Sequence, residues 1–287
     1  MAELRLVRSL HRMSDENKIR DAADAVKGIV EAVPVYEDAL QPAAKEIGVA
    51  LQTVAKTIHI VLAPVSALVW GYDQIREFVS TKVAAKLSGV PPENIATPAP
   101  NVAGPALESL RYTGHEETLR DMYANLLAAS MDTRTANEAH PSFVEIIKQL
   151  SPDEARIIRL FVSPRAFPLL EVRWDYAEQT PEHRGGQDIL RNFSLLGNEA
   201  GCSFPDLTPR YIDNICRLGL AEVPTFFEYT APGIYDPLEN HPIVLAVKAQ
   251  VEADSARKFT INHRGLRITE LGKQFCRICV VPHEQTT

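Results

Sequence analysis

Ser151-Pro152-Asp153-Glu154-Ala155-Arg156-Ile157-Ile158-Arg159-Leu160-Phe161 is where the chain changes character. Ser followed three residues later by Glu is a capping box, and proline suits the first helical position because that N–H has no partner inside the helix. The helix it starts ends before Pro164. Beyond it the pattern mixes strand and helix. Residues 169–174 alternate enough for a strand, residues 177–188 are polar and read as an exposed loop, and residues 189–196 read as a helix. Thr208-Pro209 opens a further helix through Tyr211, Ile212, Ile215 and Cys216, with Gly219 at its C-terminal stop. Residues 220–229 read as a strand, 236–241 as a polar turn and 258–262 as a strand running into His263-Arg264-Gly265. Thr269 caps a final helix carrying Leu271, Phe275, Ile278 and Cys279. Helix, helix, strand, turn, strand, helix is the element order of a winged-helix-like α+β domain, an analogy of pattern that carries no function by itself.

Working back from Ser151, the chain is helical. One helix is expected from about residue 141 with Phe143, Ile146, Ile147 and Leu150 inward, one over 116–131 and one over 102–112. Before them, Pro91, Pro92, Pro98, Pro100 and Pro105 predict an extended, polyproline-like linker, since that density opposes helix. Residues 1–89 are poor in glycine and read as helices. Arg5, Arg8 and Arg12 lie among Leu4, Leu6, Val7 and Leu10 on a short basic amphipathic segment. Residues 57–72 are 16 consecutive uncharged residues, within an apolar stretch that begins at Ile47. A spanning helix needs about 20 apolar residues, and Pro64 interrupts this one. Two readings stand: a helical hairpin buried by its neighbours, or a segment that engages lipid. In the second, Ile58, Val61, Leu62, Val65, Leu68, Val69 and Trp70 supply the apolar contact and the three arginines the attraction to anionic headgroups. The expected architecture is mainly α. It comprises an N-terminal helical bundle or hairpin (1–89), a proline linker with helices (90–150) and the winged-helix-like domain (151–287).

Composition bounds the chemistry. With 287 residues, 45% hydrophobic and 23% charged, the chain is ordinarily globular, and four cysteines make no disulfide scaffold. A net charge of −7 opposes a protein that coats nucleic acid indiscriminately. The first 30 residues carry no apolar core of a signal peptide, so the cytoplasm is the expected address, with conditional contact at a membrane in the lipid-engaging reading. No phosphate-binding glycine motif and no nucleophile elbow occurs. Cys276 and Cys279 form a lone C-x-x-C inside a helix, without the second ligand pair that zinc needs. No two of the eight histidines lie within five residues of each other, and His115 and His140 read as pre-helix turn residues. No catalytic residue, metal ligand or cofactor is therefore expected. One basic cluster stands out, with Arg257, Lys258, Arg264 and Arg267 as candidate partner or phosphate contacts, followed by Lys273 and Arg277. The helix that would read DNA supplies Arg210, Asn214 and Arg217, but Asp213 and Asp206 accompany them. Sequence-specific DNA binding is thus not expected.

Three strings carry a family resemblance: Pro91-Pro92-Glu93-Asn94-Ile95 leading to Gly104-Pro105-Ala106-Leu107-Glu108-Ser109-Leu110-Arg111-Tyr112, then Leu119-Arg120-Asp121-Met122-Tyr123-Ala124-Asn125-Leu126-Leu127-Ala128, then residues 140–154. They resemble the bacterial abortive infection alpha family, most closely over about 90–160. The resemblance implies a part in defence against phage and brings no active-site residues. Membrane lipid, a second defence protein or another copy of the chain are the partners that fit this reading; a soluble module that recognises a phage protein or nucleic acid is the alternative.

Overall fold

The computed structural model describes residues 70–283, and these divide into two units. The first, described over 70–148 and 281–283, is helical. It comprises α1 (Tyr72–Phe78), a π-helical turn (Val79–Val83), α2 (Ala84–Lys86), α3 (Pro100–Thr113), α4 (Glu117–Met131) and α5 (Ser142–Lys148). Helix α4 is its axis: from Met122 to Met131 every residue is buried. A helix apolar on all sides must be surrounded, and Leu107 and Leu110 of α3, Phe143 and Ile147 of α5, and Ile75 and Phe78 of α1 are all buried with it.

The proline-rich stretch is not wholly extended. Pro92–Asn94 forms a 3-10 turn, and α3 begins at Pro100 and contains Pro105. Pro100 sits in the first turn, where a missing N–H is harmless. Pro105 follows early enough that its ring crowds only Asn101, which is exposed and near the helix start. The linker is then stitched to the end of α4: Ile95 bridges Asp132, Ala96 N–H donates to Met131 C=O and Thr133 N–H donates to Asn94 C=O.

The second unit spans Gln149–Val280. It comprises α6 (Pro152–Arg159), β1 (Pro168–Tyr176), β2 (Gly186–Phe193), α7 (Leu196–Glu199), α8 (Thr208–Arg217) and β3 (Ala221–Glu222). These are followed by α9 (Asp236–Glu239), α10 (Pro242–Glu252), β4 (Arg257–Gly265), β5 (Arg267–Ile268), α11 (Glu270–Phe275) and a π-helical turn (Cys276–Val280). The expected capping box is present: Ser151 Oγ accepts from Glu154 N–H and Glu154 Oε2 accepts from Ser151 N–H at 2.6 Å. Three strands form an antiparallel sheet in the order β2-β1-β4, and β3 pairs with β5. Leu170 and Val172 of β1 face a core with Tyr235, Leu238 and Val244, completed by Leu190, Phe193, Phe259 and Ile261. The chain is thus mainly helical with a small antiparallel sheet.

Three sequence expectations are corrected here. Residues 189–196 are not a helix; most belong to β2. The strand bulges, its register against β1 shifting on both sides of Val172, and Asn192 adopts φ 52°. The bulge breaks the period-two signal and leaves Ile189, Phe193 and Leu196 at a helical-looking spacing. The strand expected over 220–229 shrinks to Ala221–Glu222, because Pro224 removes a ladder donor. The turn at 236–241 is α9 in part, and α10 follows directly behind it. Its signal is present: His241-Pro242 is an N-cap followed by proline, and His241 Nδ1 accepts from Ile243 N–H.

Candidate functional site

Of the candidate lipid-contact residues, Arg5, Arg8, Arg12, Ile58, Val61, Leu62, Val65, Leu68 and Val69 lie outside the described residues. Trp70 is described and half-buried. Its N–H donates to Arg111 C=O at 3.0 Å, and its ring meets Phe78 edge-on and Arg120 as a cation. The indole also lies hard against Gly114, where a Cβ would come within 2.2 Å of it. Gly114 is therefore the residue that lets α3 and α4 turn around the tryptophan.

The four candidate cations of the second unit do not make one patch. Alternation along β4 puts Lys258 and Arg264 on one face of the sheet and Arg257 on the other. Arg257 lies over the Trp174 ring, 4.5 Å from its centroid, and pairs with Asp254. Arg267, beyond β4, pairs with Glu222 at 2.7 Å and lies over Phe227. It borders a cleft of about 570 Å³ shared with Arg165, Phe167, Tyr229 and Lys273. There the cations are again partnered, Arg165 by Glu199 and Lys273 by Glu270.

Lys258 and Arg264 share their face with a ladder of alternating charge. Arg264 Nη2 is 3.1 Å from Glu171, Glu171 is 4.0 Å from Arg191, Arg191 is 3.9 Å from Asp188, and Asp188 is 3.7 Å from Arg173, which donates to Asp175. The bulge in β2 makes this possible, since it brings Asp188 and Arg191 to the same side. The ladder is a solvent-facing sheet surface of interleaved sign. On the opposite side His263 stacks flat on Tyr235, with ring centroids 4.0 Å apart, and sits between Glu239 at 2.6 Å and Glu228 at 3.8 Å.

Two buried carboxylates, which the sequence showed only as ordinary acids, organise the units. In the second, Asp153 accepts from the Ser203 and Phe204 N–H groups, from Tyr211 Oη at 2.9 Å and from Arg156. Burial pushes its pKa up, but these donors outweigh burial and hold it below the usual range. Tyr211 is pushed up to about 12, by burial and by the carboxylate. This hub ties α6 to α8. In the first unit, Asp132 has no exposed side-chain surface and pairs with Arg134 at 2.7 Å and His283 at 3.1 Å. Burial also opposes its ionisation, and the Arg134 hydrogen bonds overcome that and lower its pKa.

The remaining candidates are engaged in packing or turns. Burial pushes the Cys276 thiol up to about 12 and raises Cys279 well above its ordinary value, so both stay protonated at neutral pH and pack as small apolar groups. His140 Nδ1 accepts from Ser142 N–H at 3.1 Å, and exposed His115 lies 3.8 Å from Glu116. On α8, Arg217 donates to Asn214 and to Gln149 Oε1, while Asp213 accepts from Asn192. Two of the three residues that would read bases are thereby held within the unit.

A family model described as abortive infection alpha matches residues 71–279, spanning both units. No curated protein matches the chain. Among solved structures, that of an uncharacterized protein from the hydrocarbon-degrading marine bacterium Alcanivorax borkumensis SK2 is similar at 24% identity, covering 47% of this chain and 90% of that one, with a TM-score of 0.32.

Proposed function

The chain belongs to the abortive infection alpha family, and we propose that it acts in bacterial defence against phage as a non-enzymatic effector or sensor that engages membrane lipid. The family match carries the defence part of this reading. The lipid part rests on the sequence: the uncharged run over 57–72 behind a segment bearing Arg5, Arg8 and Arg12. Among the described residues no helix is long and apolar enough to cross a membrane. The contact is therefore assigned to residues before 70, peripheral at the inner membrane and conditional on infection. The second unit, read as winged-helix-like around α8, α11 and the β3–β5 pair, serves in this proposal to dock a partner.

The test is phage challenge of cells expressing the protein, at low and high multiplicity. Protection of the culture at low multiplicity, with loss of the infected cells at high multiplicity, is the expected signature. Val61→Asp or Leu62→Asp should abolish it while the purified variant keeps its thermal midpoint, because a carboxylate in the bilayer core costs about 2.5–3.5 kcal/mol. Full protection by a folded Val61→Asp variant would remove the lipid reading. It would leave recognition of a phage protein by the second unit, whose fully exposed Phe226 and half-exposed Ile243 and Leu245 favour a protein partner.

A further inference from the structure

The three-stranded sheet has two outer strands, and they differ. On β2 the register shifts twice, Asn192 is left-handed, and Asp188 and Arg191 stand on one face. Bulges and charges are the usual means of making an edge unable to accept another strand. By contrast β4 runs in unbroken register with β1 for nine residues, from Gly265 opposite Pro168 to Arg257 opposite Tyr176.

The bonds just beyond each end of that pairing fix which of its backbone groups point outward. Leu266 N–H donates to Phe167 C=O, and Ala177 N–H donates to Ala256 C=O, both at 2.9 Å. Antiparallel ladders alternate bonded and non-bonded pairs. Counting inward by two from either end gives the same answer: Arg264, Asn262, Thr260 and Lys258 exchange hydrogen bonds with β1. Phe259, Ile261 and His263 therefore direct their N–H and C=O groups away from it. Among the described residues none of those groups has a hydrogen-bond partner. A groove of about 610 Å³ borders this edge, between Ile261–Arg264 and residues 225–228. Arg264 holds the far wall by donating to Thr225 C=O while it pairs with Glu171. Phe226 stands fully exposed beside the groove.

We propose that the outer edge of β4 captures an extended segment of another protein as a fourth strand, one with carboxylates on one face and apolar side chains on the other. The main chain of such a segment satisfies the three outward residues, which is the physical basis of strand addition. Charge selects the face. Strand β4, Arg-Lys-Phe-Thr-Ile-Asn-His-Arg-Gly, carries three cations and no acid. Lys258, Thr260, Asn262 and Arg264 line one side, and Phe259 and Ile261 line the other. A second copy of this chain fits poorly. Antiparallel pairing centred on Ile261 sets Lys258 opposite Arg264, like against like.

The test is residue-resolved amide exchange on the full chain, with two capped eight-residue peptides as probes, one alternating Glu and Val and the other Lys and Val. In the free protein the amides of Phe259, Ile261 and His263 should exchange on the order of a hundredfold faster than those of Thr260, Asn262 and Arg264. The Glu/Val peptide should slow those three and the Lys/Val peptide should not. Lys258→Glu, at an exposed site, should weaken the Glu/Val peptide roughly threefold, as expected for one cross-strand charge pair. Protection of the three amides in the free protein would overturn the proposal, because the edge would already be covered by the chain itself or by a second copy. Equal slowing by both peptides, no slowing by the Glu/Val peptide, or indifference to Lys258→Glu would also overturn it.

Discussion

His283 shows how much one side chain can organise. It is 2% exposed, and its Nε2–H donates to Asp132, a carboxylate that also accepts from Arg134. Burial pushes the imidazole pKa below its ordinary value, more than the neighbouring carboxylate raises it. The ring is neutral in the folded protein, and the unfolded chain takes up the proton first. The stability this gives is complete above the ordinary histidine pKa of about 6.5 and falls as the pH drops below it. Asp132, held low, contributes in a separate window, above about pH 3.9, and its share is lost as the pH falls through its depressed value. His283→Gln keeps a donor and removes the titration. Its thermal midpoint should therefore lose less than that of the parent between about pH 6.5 and 5. Parallel midpoint curves for the two proteins would show that the ring does not titrate with folding. None of this was legible in the sequence. Asp132 and His283 are 151 residues apart, and neither position differs by any local pattern from an ordinary surface residue.

Elements whose signals are local were legible. The capping box at Ser151, the Thr269 cap that accepts from Gly272 N–H, and the buried stripe of α4 were all written in the sequence. Strand β2 is hidden in the sequence because its bulge destroys the alternation by which strands are recognised, and the bounds of β3 because its short pairing comes from β5, 45 residues away at the Glu222–Arg267 pair. Helix α11 packs on that pairing through a glycine. A Cβ on Gly272 would lie 2.0 Å from the Leu220 carbonyl oxygen and 2.9 Å from Ile268. Two effects oppose each other in Gly272→Ala. Alanine favours the helix by about 1 kcal/mol, whereas forcing a methyl against a backbone oxygen costs about 1–3 kcal/mol. Backbone yields less readily than a side-chain tip, so the clash should win. The second unit should be destabilised by up to about 2 kcal/mol in a denaturant titration. An unchanged or raised midpoint would mean that α11 slides without cost.

Across the whole molecule the two units are not consecutive in the chain. The first is interrupted after Lys148 by the entire second unit and resumes at Val281. The change of pattern at Ser151 is a local signal, whereas the return at Val281 has none. Truncation after Val280 should therefore act away from the cut. It deprives Asp132 of His283 and should speed amide exchange in α4 and the 3-10 turn while leaving α8 and β1 as protected as before. Equal loosening of both units would argue against the division. The same interruption has a consequence for synthesis. A ribosome adds about 5–20 residues per second, so roughly 8–30 s separate the emergence of Asp132 from that of His283, whose 151-residue spacing sets the interval. For nearly all of that interval the second unit is itself being made; it receives its last residue, Val280, three residues before His283, and until then Asp132 has only Arg134 as its partner. The order of completion is the reverse of the order of translation.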